Sequence, residues 1–277
     1  MIENFTFLAS DNEKLAVTTY LNKDKFSGNA IIFVHGFKGF KDWGFVPYLG
    51  NYFANNGFFV VTFNFSFNGI GENLTEFTEL DKFSQNTISR EIRELNEITD
   101  ALKSDFFNIN FKGKIGYIGH SRGGAVAILT ASKRNDVSCV SLWASISKLD
   151  RYTQRQKEEW RKKGFLEVIN TRTNQIMKLN ISLLEDIEKN SEDLLNLQKA
   201  VSQFNRPMLI VHGNQDMVVP VKEAVQLYEW SDKTKTEFFK IYGTGHTFDV
   251  VHPFNGSNDK FERVLETTLY FFQNNLK

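Results

Sequence analysis

The chain predicts an α/β fold: a mostly parallel central sheet with helices on both faces. Two patterns carry that expectation. Apolar runs of strand length, at residues 30–34, 58–65, 114–119, 137–144, 207–211 and 237–242, alternate with stretches of helical periodicity. Two of these runs, 30–34 and 207–211, are apolar at every position, as expected of strands covered on both sides. With 277 residues, 41% of them hydrophobic, the chain is long enough to bury the core such a sheet needs.

Taken in order, residues 15–21 read as a strand of alternating character and 30–34 as a buried one. Residues 47–56 follow as a helix closed by Asn56-Gly57, and 58–65, rich in β-branched and aromatic side chains, as the next strand. From Ile88, the apolar residues Ile92, Leu95, Ile98 and Leu102 recur at steps of three and four, one stripe of an amphipathic helix. A strand at 114–119, a helix at 123–132 and a strand at 137–144 come next. The final units are a strand at 207–211, a helix near 221–229, a strand at 237–242 and a closing helix near 260–274.

Residues 147–205 break this alternation. Leu149, Tyr152, Gln156 and Trp160 fall on one face of a charged helix. Residues 165–170 and 176–181 read as arms of a hairpin, and Ser182-Leu-Leu-Glu185 as a capping box opening another helix. A stretch this long exceeds an ordinary loop. The expected organisation is therefore a core of residues 1–146 and 206–277, with 147–205 as a lid over the strand ends.

Composition excludes several classes. Thirty-three basic side chains balance 33 acidic ones, so no electrostatic footprint for nucleic acid or anionic lipid exists. No apolar stretch is long enough to span a bilayer. Cys139 is alone, ruling out an intramolecular disulfide, and it falls in an apolar run where a buried thiol is expected. The first twenty residues lack a basic stretch followed by a continuous apolar one, so a cytoplasmic location is expected. No phosphate-cradling loop, dinucleotide fingerprint or metal-ligand spacing is present, and neither cofactor nor metal is expected.

The strongest chemical signal is Gly119-His120-Ser121-Arg122-Gly123-Gly124, which stands where a strand ends and a helix begins. In that slot a G-x-S-x-G sequence makes a sharp turn that points the serine hydroxyl away from the sheet. Small residues two before and two after Ser121 avoid collision within the turn. A serine hydroxyl needs a base, and the chain offers five histidines. His35, His120 and His212 lie at strand ends or turns and suit structural duties, and His252 falls in a polar loop. His246, in the Gly-flanked loop after the strand at 237–242, can lean over the sheet as a base. Asp216, beyond the strand at 207–211, suits the acid that orients it, with Asp249 the rival as a loop cap. Backbone amides of Phe37, in the loop after 30–34, and of Arg122 suit an oxyanion hole.

His35-Gly-Phe-Lys-Gly, Gly119-His-Ser-Arg-Gly-Gly, His212-Gly-Asn-Gln-Asp216 and Gly245-His246 stand in the order found in α/β-hydrolases, which the chain resembles from about Leu15 onward. It is similar to the dienelactone-hydrolase-like, serine-aminopeptidase-like and cinnamoyl-esterase-like branches. It departs from dienelactone hydrolases proper in having Ser121 where they have cysteine. The resemblance implies Ser121 as nucleophile, Asp216 as acid and His246 as base, with Phe37 and Arg122 as oxyanion donors. The expected activity is hydrolysis of a small-molecule carboxylic ester through an acyl-enzyme, with Phe40, Tyr152, Trp160 and Phe165 lining an aromatic pocket. A serine peptidase or amidase using the same residues is the alternative, and a non-catalytic binding protein the second.

Overall fold

A computed structural model describes residues 1–277. The strands are β1 (Ile2–Leu8), β2 (Lys14–Tyr20), β3 (Ala30–Val34), β4 (Phe59–Phe63), β5 (Ile115–His120), β6 (Val137–Trp143), β7 (Phe165–Asn170), β8 (Gln175–Asn180), β9 (Met208–Gly213) and β10 (Thr236–Ile241). The helices are α1 (Val46–Asn55), α2 (Leu80–Ser84), α3 (Ile88–Lys103), α4 (Arg122–Ser132), α5 (Gln154–Lys163), α6 (Ile181–Lys189), α7 (Leu197–Gln203), α8 (Lys222–Trp230) and α9 (Asp259–Asn275).

Eight strands form one sheet in the order β1-β2-β4-β3-β5-β6-β9-β10. From β4 to β10 every neighbouring pair is parallel, while β1, β2 and β4 pair antiparallel at one edge. The α/β class is therefore as the sequence predicts. Side-chain alternation divides the core in two. Ile32 and Val34 of β3 enter the cluster that α3 and α4 complete, whereas Ile31 and Phe33 enter the one completed by α1 and α9. Both faces are covered, so every residue of β3 and β4 is buried.

The helix caps follow local chemistry. Thr87 accepts from the Arg90 N–H at 3.2 Å to open α3, and Ile88, Ile92, Leu95, Ile98 and Leu102 are all buried. Asn258 accepts from the Lys260 and Phe261 amides at 3.0 and 3.1 Å to open α9. In two places the local chemistry differs from the expectation. Asn180, not Ser182, caps α6, accepting from Ser182 N–H at 3.3 Å, so the residues read as a capping box already lie inside the helix. Leu149 and Tyr152 precede α5 rather than lying on it, because Thr153 forms a capping box with Gln156. β1, α2 and α7 were not anticipated by hydrophobic pattern; β1 is an edge strand with only every second side chain partly buried.

Between β6 and β9 the chain forms α5, the β7–β8 hairpin, α6 and α7. Its base is tied down by buried Glu223, which accepts from the Ser147 amide at 2.8 Å and from Arg151 at 2.6 and 2.7 Å. Trp160 and Met177 are fully buried, so this segment packs on the core rather than extending into solvent.

The turn from β5 into α4 leaves no room for side chains. A Cβ on Gly123 would stand 2.2 Å from the Val34 carbonyl oxygen and 2.5 Å from that of His35. One on Gly119 would stand 2.4 Å from the Gly123 carbonyl oxygen. Both obstacles are backbone and cannot swing aside. Gly123→Ala should therefore lower unfolding free energy by about 3 kcal/mol in urea titration, despite alanine's better helix propensity. An unchanged midpoint would contradict this packing.

Candidate active site

Loops leaving the carboxyl ends of β3, β5, β9 and β10 meet at a cavity of about 380 Å³. The open crevice beyond parallel strand ends is where α/β sheets hold ligands. Ser121 stands there with φ +57° and ψ −123°, a backbone that side-chain-bearing residues rarely adopt. The strain is held by three bonds. Ser121 N–H donates to the Trp143 carbonyl at 2.8 Å, and its own carbonyl accepts from Gly124 at 3.0 Å and Ile146 at 3.4 Å. The hydroxyl itself lines the cavity and makes no hydrogen bond within the protein.

His246 lines the same cavity, and its Nδ1 lies 2.7 Å from Asp216 Oδ2. The carboxylate accepts, so Nδ1 carries the proton and Nε2 keeps its lone pair. Asp216 Oδ1 accepts from the Val218 and Val219 amides at 2.8 Å each. His212 Nε2 lies 3.4 Å from Asp216 Oδ2 and donates to the Val219 carbonyl at 2.7 Å. Burial alone would raise the Asp216 pKa. Hydrogen bonds from His212, His246 and the Val219 amide outweigh it and hold the carboxyl below the ordinary range. Asp249 instead accepts from Thr244 Oγ1 at 2.7 Å and pairs with Lys260, a loop-fixing role.

The loop after β3 approaches this turn closely. A Cβ on Gly36 would lie 2.9 Å from Ser121 Cβ and 3.4 Å from Arg122 N. Phe37 N–H makes no backbone hydrogen bond, and Arg122, at the first position of α4, has no carbonyl a turn behind it to bond. The Arg122 side chain turns away from the cavity. It pairs with buried Glu91 at 2.5 Å, and its guanidinium lies 4.6 Å from the Phe37 ring centroid. Burial raises the Glu91 pKa against the pull of Arg122. Glu91 is a positioning group that the sequence reading missed. Its signal was available: it follows Ile88 by three residues and so shares the apolar stripe.

Two further histidines brace the loops. Phe65 N–H donates to His35 Nε2 at 3.3 Å, leaving Nδ1–H to donate to the Gly36 carbonyl at 2.9 Å. His120 Nε2–H donates to the His246 carbonyl at 2.9 Å. Burial pulls both pKa values down, to about 4 for His35 and about 3 for His120. His252, expected in an open loop, is half-buried and accepts from the Gly44 amide at 3.0 Å, with its ring stacked on Trp43.

Of the aromatic residues expected in the pocket, only Phe40 lines the cavity. Trp160 is fully buried elsewhere in the core, with Tyr152 edge-on against it at 4.9 Å, and the Phe165 ring sits under Lys178. The helical reading of this segment placed its aromatic face toward the site, whereas that face packs inward to anchor the segment. The cavity takes Trp43, Phe45 and the hairpin tip Asn170–Thr171–Arg172 in their stead.

The sequence profile of the prolyl oligopeptidase family matches residues 46–277. The chain belongs to the prolyl oligopeptidase family. Its α/β-hydrolase fold is shared with many solved structures. Est1E from Butyrivibrio proteoclasticus, solved with ferulic acid bound, is 18% identical with a TM-score of 0.72, covering 98% of each chain. An esterase domain from Rhodothermus marinus is 18% identical with a TM-score of 0.67, covering 100% of both chains. An esterase from Pyrococcus furiosus is 19% identical with a TM-score of 0.66, covering 100% of this chain and 92% of its own. No curated protein matches in sequence. Family membership makes the chain a hydrolase, and no helix in it is long and apolar enough to cross a membrane.

The depressed His35 pKa has a stability consequence. An unfolded imidazole gains its proton near 6.5, whereas folded His35 resists until about 4, so folding loses stability as pH falls between those values. Buried Glu91 and Glu94 have raised pKa values and act in the opposite sense. A comparison that cancels them is therefore required. Between pH 7 and pH 5, wild type should lose about 2 kcal/mol more unfolding free energy than His35→Asn does. Equal losses in urea titrations would contradict a neutral, buried His35.

Proposed function

We propose that this hydrolase cleaves a carboxylic ester through an acyl-enzyme formed on Ser121. The observation that carries the reading is the His246 Nδ1–Asp216 bond of 2.7 Å beside a serine held in a strained turn on the same cavity. That bond leaves His246 Nε2 free to accept the Ser121 proton as Oγ attacks the ester carbonyl. The oxyanion of the tetrahedral adduct would accept from the Phe37 and Arg122 amides, two donors without other partners, the second at the N-terminus of α4. Collapse expels the alcohol, which takes the proton from His246. Water, deprotonated by the same nitrogen, then attacks the acyl carbon and releases the acid.

Residues 147–205 act as a lid in this reading, with the tip of β7–β8 forming one wall of the cavity. A half-open cavity of about 380 Å³ lined in part by Phe40, Trp43 and Phe45 suits a small substrate with an apolar part. The esterases among the structural relatives support an ester. Membership of the prolyl oligopeptidase family favours peptide cleavage by the same residues, since esters and amides pass through the same tetrahedral adduct.

Turnover of 4-nitrophenyl butyrate against butyryl 4-nitroanilide separates the two. The ester should have the higher kcat/KM. Ser121→Ala should lower kcat by at least about 10⁴-fold and Asp216→Asn by about 10³- to 10⁴-fold, with folding intact by circular dichroism. A faster anilide would favour the peptidase. Wild-type activity in folded Ser121→Ala would remove the mechanism.

A further inference from the structure

The wall of the Ser121 cavity is rich in hydrogen-bond donors that nothing in the protein uses. Lys38 Nζ donates to the Ile169 carbonyl at 3.0 Å, and Arg172 donates to the Lys38 carbonyl. These two bonds fix the β7–β8 tip against the loop after β3. They occupy one of three ammonium donors and one of five guanidinium donors. Neither cation forms an ion pair, and no Asp or Glu is among the residues lining the cavity. Two neutral donors join them. Asn170 is 1% exposed, and its Nδ2 has no partner while its Oδ1 accepts from the Arg172 amide at 3.3 Å. The buried Nε1 of Trp43 is likewise unpartnered.

Bolting the tip to two backbone carbonyls needs no charge, because a neutral amide side chain could donate equally well. Placing two cations together without a counter-charge is unfavourable by itself. Burial lowers the Lys38 pKa and Arg172 lowers it further, while burial also lowers that of Arg172. An anion on this wall would relieve the repulsion and occupy the idle donors, in charge-assisted bonds that are stronger than neutral ones.

Resting on the hydrolase reading of Ser121, we propose that Lys38, Asn170 and Arg172 form an anion-binding subsite, and that the ester cleaved carries a carboxylate remote from its scissile bond. The apolar surface of Phe40, Trp43 and Phe45 takes the stem between the two ends. No atom of the subsite takes part in the covalent steps; it selects and orients.

The test is calorimetric titration of the full chain at low ionic strength with adipate and with adipamide, its neutral counterpart. Adipate should bind wild type at least about tenfold more tightly, the scale of a hydrogen bond to a charged group. That preference should shrink at least fivefold in Arg172→Gln and in Lys38→Gln, and return in part in Arg172→Lys. Equal binding of the two probes, no binding of adipate, or a preference that survives both Gln substitutions would overturn the subsite. Turnover of the 4-nitrophenyl monoester of adipic acid and of its primary-amide analogue distinguishes this failure from the other. Equal kcat/KM for both removes the subsite and leaves the hydrolase. Adipate preference without turnover of either removes the ester-hydrolase reading and leaves the subsite.

Discussion

The site depends on one steric constraint, the near-contact of three backbone segments at the start of α4. Gly123 meets the carbonyls of Val34 and His35, Gly119 meets Gly123, and Gly124 meets the Ser145 side chain. Only a chain without Cβ atoms at these points can turn from β5 into α4 within so little space. The residue caught in the middle, Ser121, is forced to φ +57°. Such a conformation costs about 1–3 kcal/mol and persists only where the surroundings over-determine it. Here the buried strands β3, β5 and β6 do so. The same closeness brings Gly36 against Ser121, so the loop after β3 lies directly against the N-terminus of α4.

Around that turn, imidazoles act as fixed struts. His35 joins the β3 loop to Phe65, His120 holds the carbonyl of His246, and His212 supports Asp216. Low pKa values of His35 and His120 keep those two rings neutral, so their hydrogen-bond directions do not change as pH moves through the physiological range. Asp216 is the converse case: every oxygen is satisfied by a donor, and the carboxylate stays charged under burial. A fixed negative charge behind His246 Nδ1 sets the tautomer of a ring that lines the cavity.

Much of this was legible in the sequence because it is written in backbone chemistry. Glycine spacing around Ser121, apolar runs of strand length and the stripe from Ile88 to Leu102 each reflect a local rule, and each appears where expected. The meeting of Asp216 with His246 follows from strand order, since β9 and β10 are neighbours in parallel register. What the sequence could not give was the direction in which residues 147–205 pack. Tyr152 and Trp160 sit on an aromatic face that serves equally to anchor a segment or to line a pocket, and the core took it. The residues that do reach the cavity, Asn170 and Arg172, lie at a hairpin tip whose placement depends on tertiary contacts with Lys38. Polar loop residues of this kind carry no periodicity to betray them.

The central claim is that the strained turn delivers an activated serine to the cavity. Intact-mass analysis after reaction with a fluorophosphonate, on wild type and on Ser121→Ala, tests it most directly. The account predicts a single adduct on wild type, mapped to the peptide containing Ser121, and none on the folded variant. A folded wild type that stays unmodified, or an adduct that survives Ser121→Ala, would contradict it.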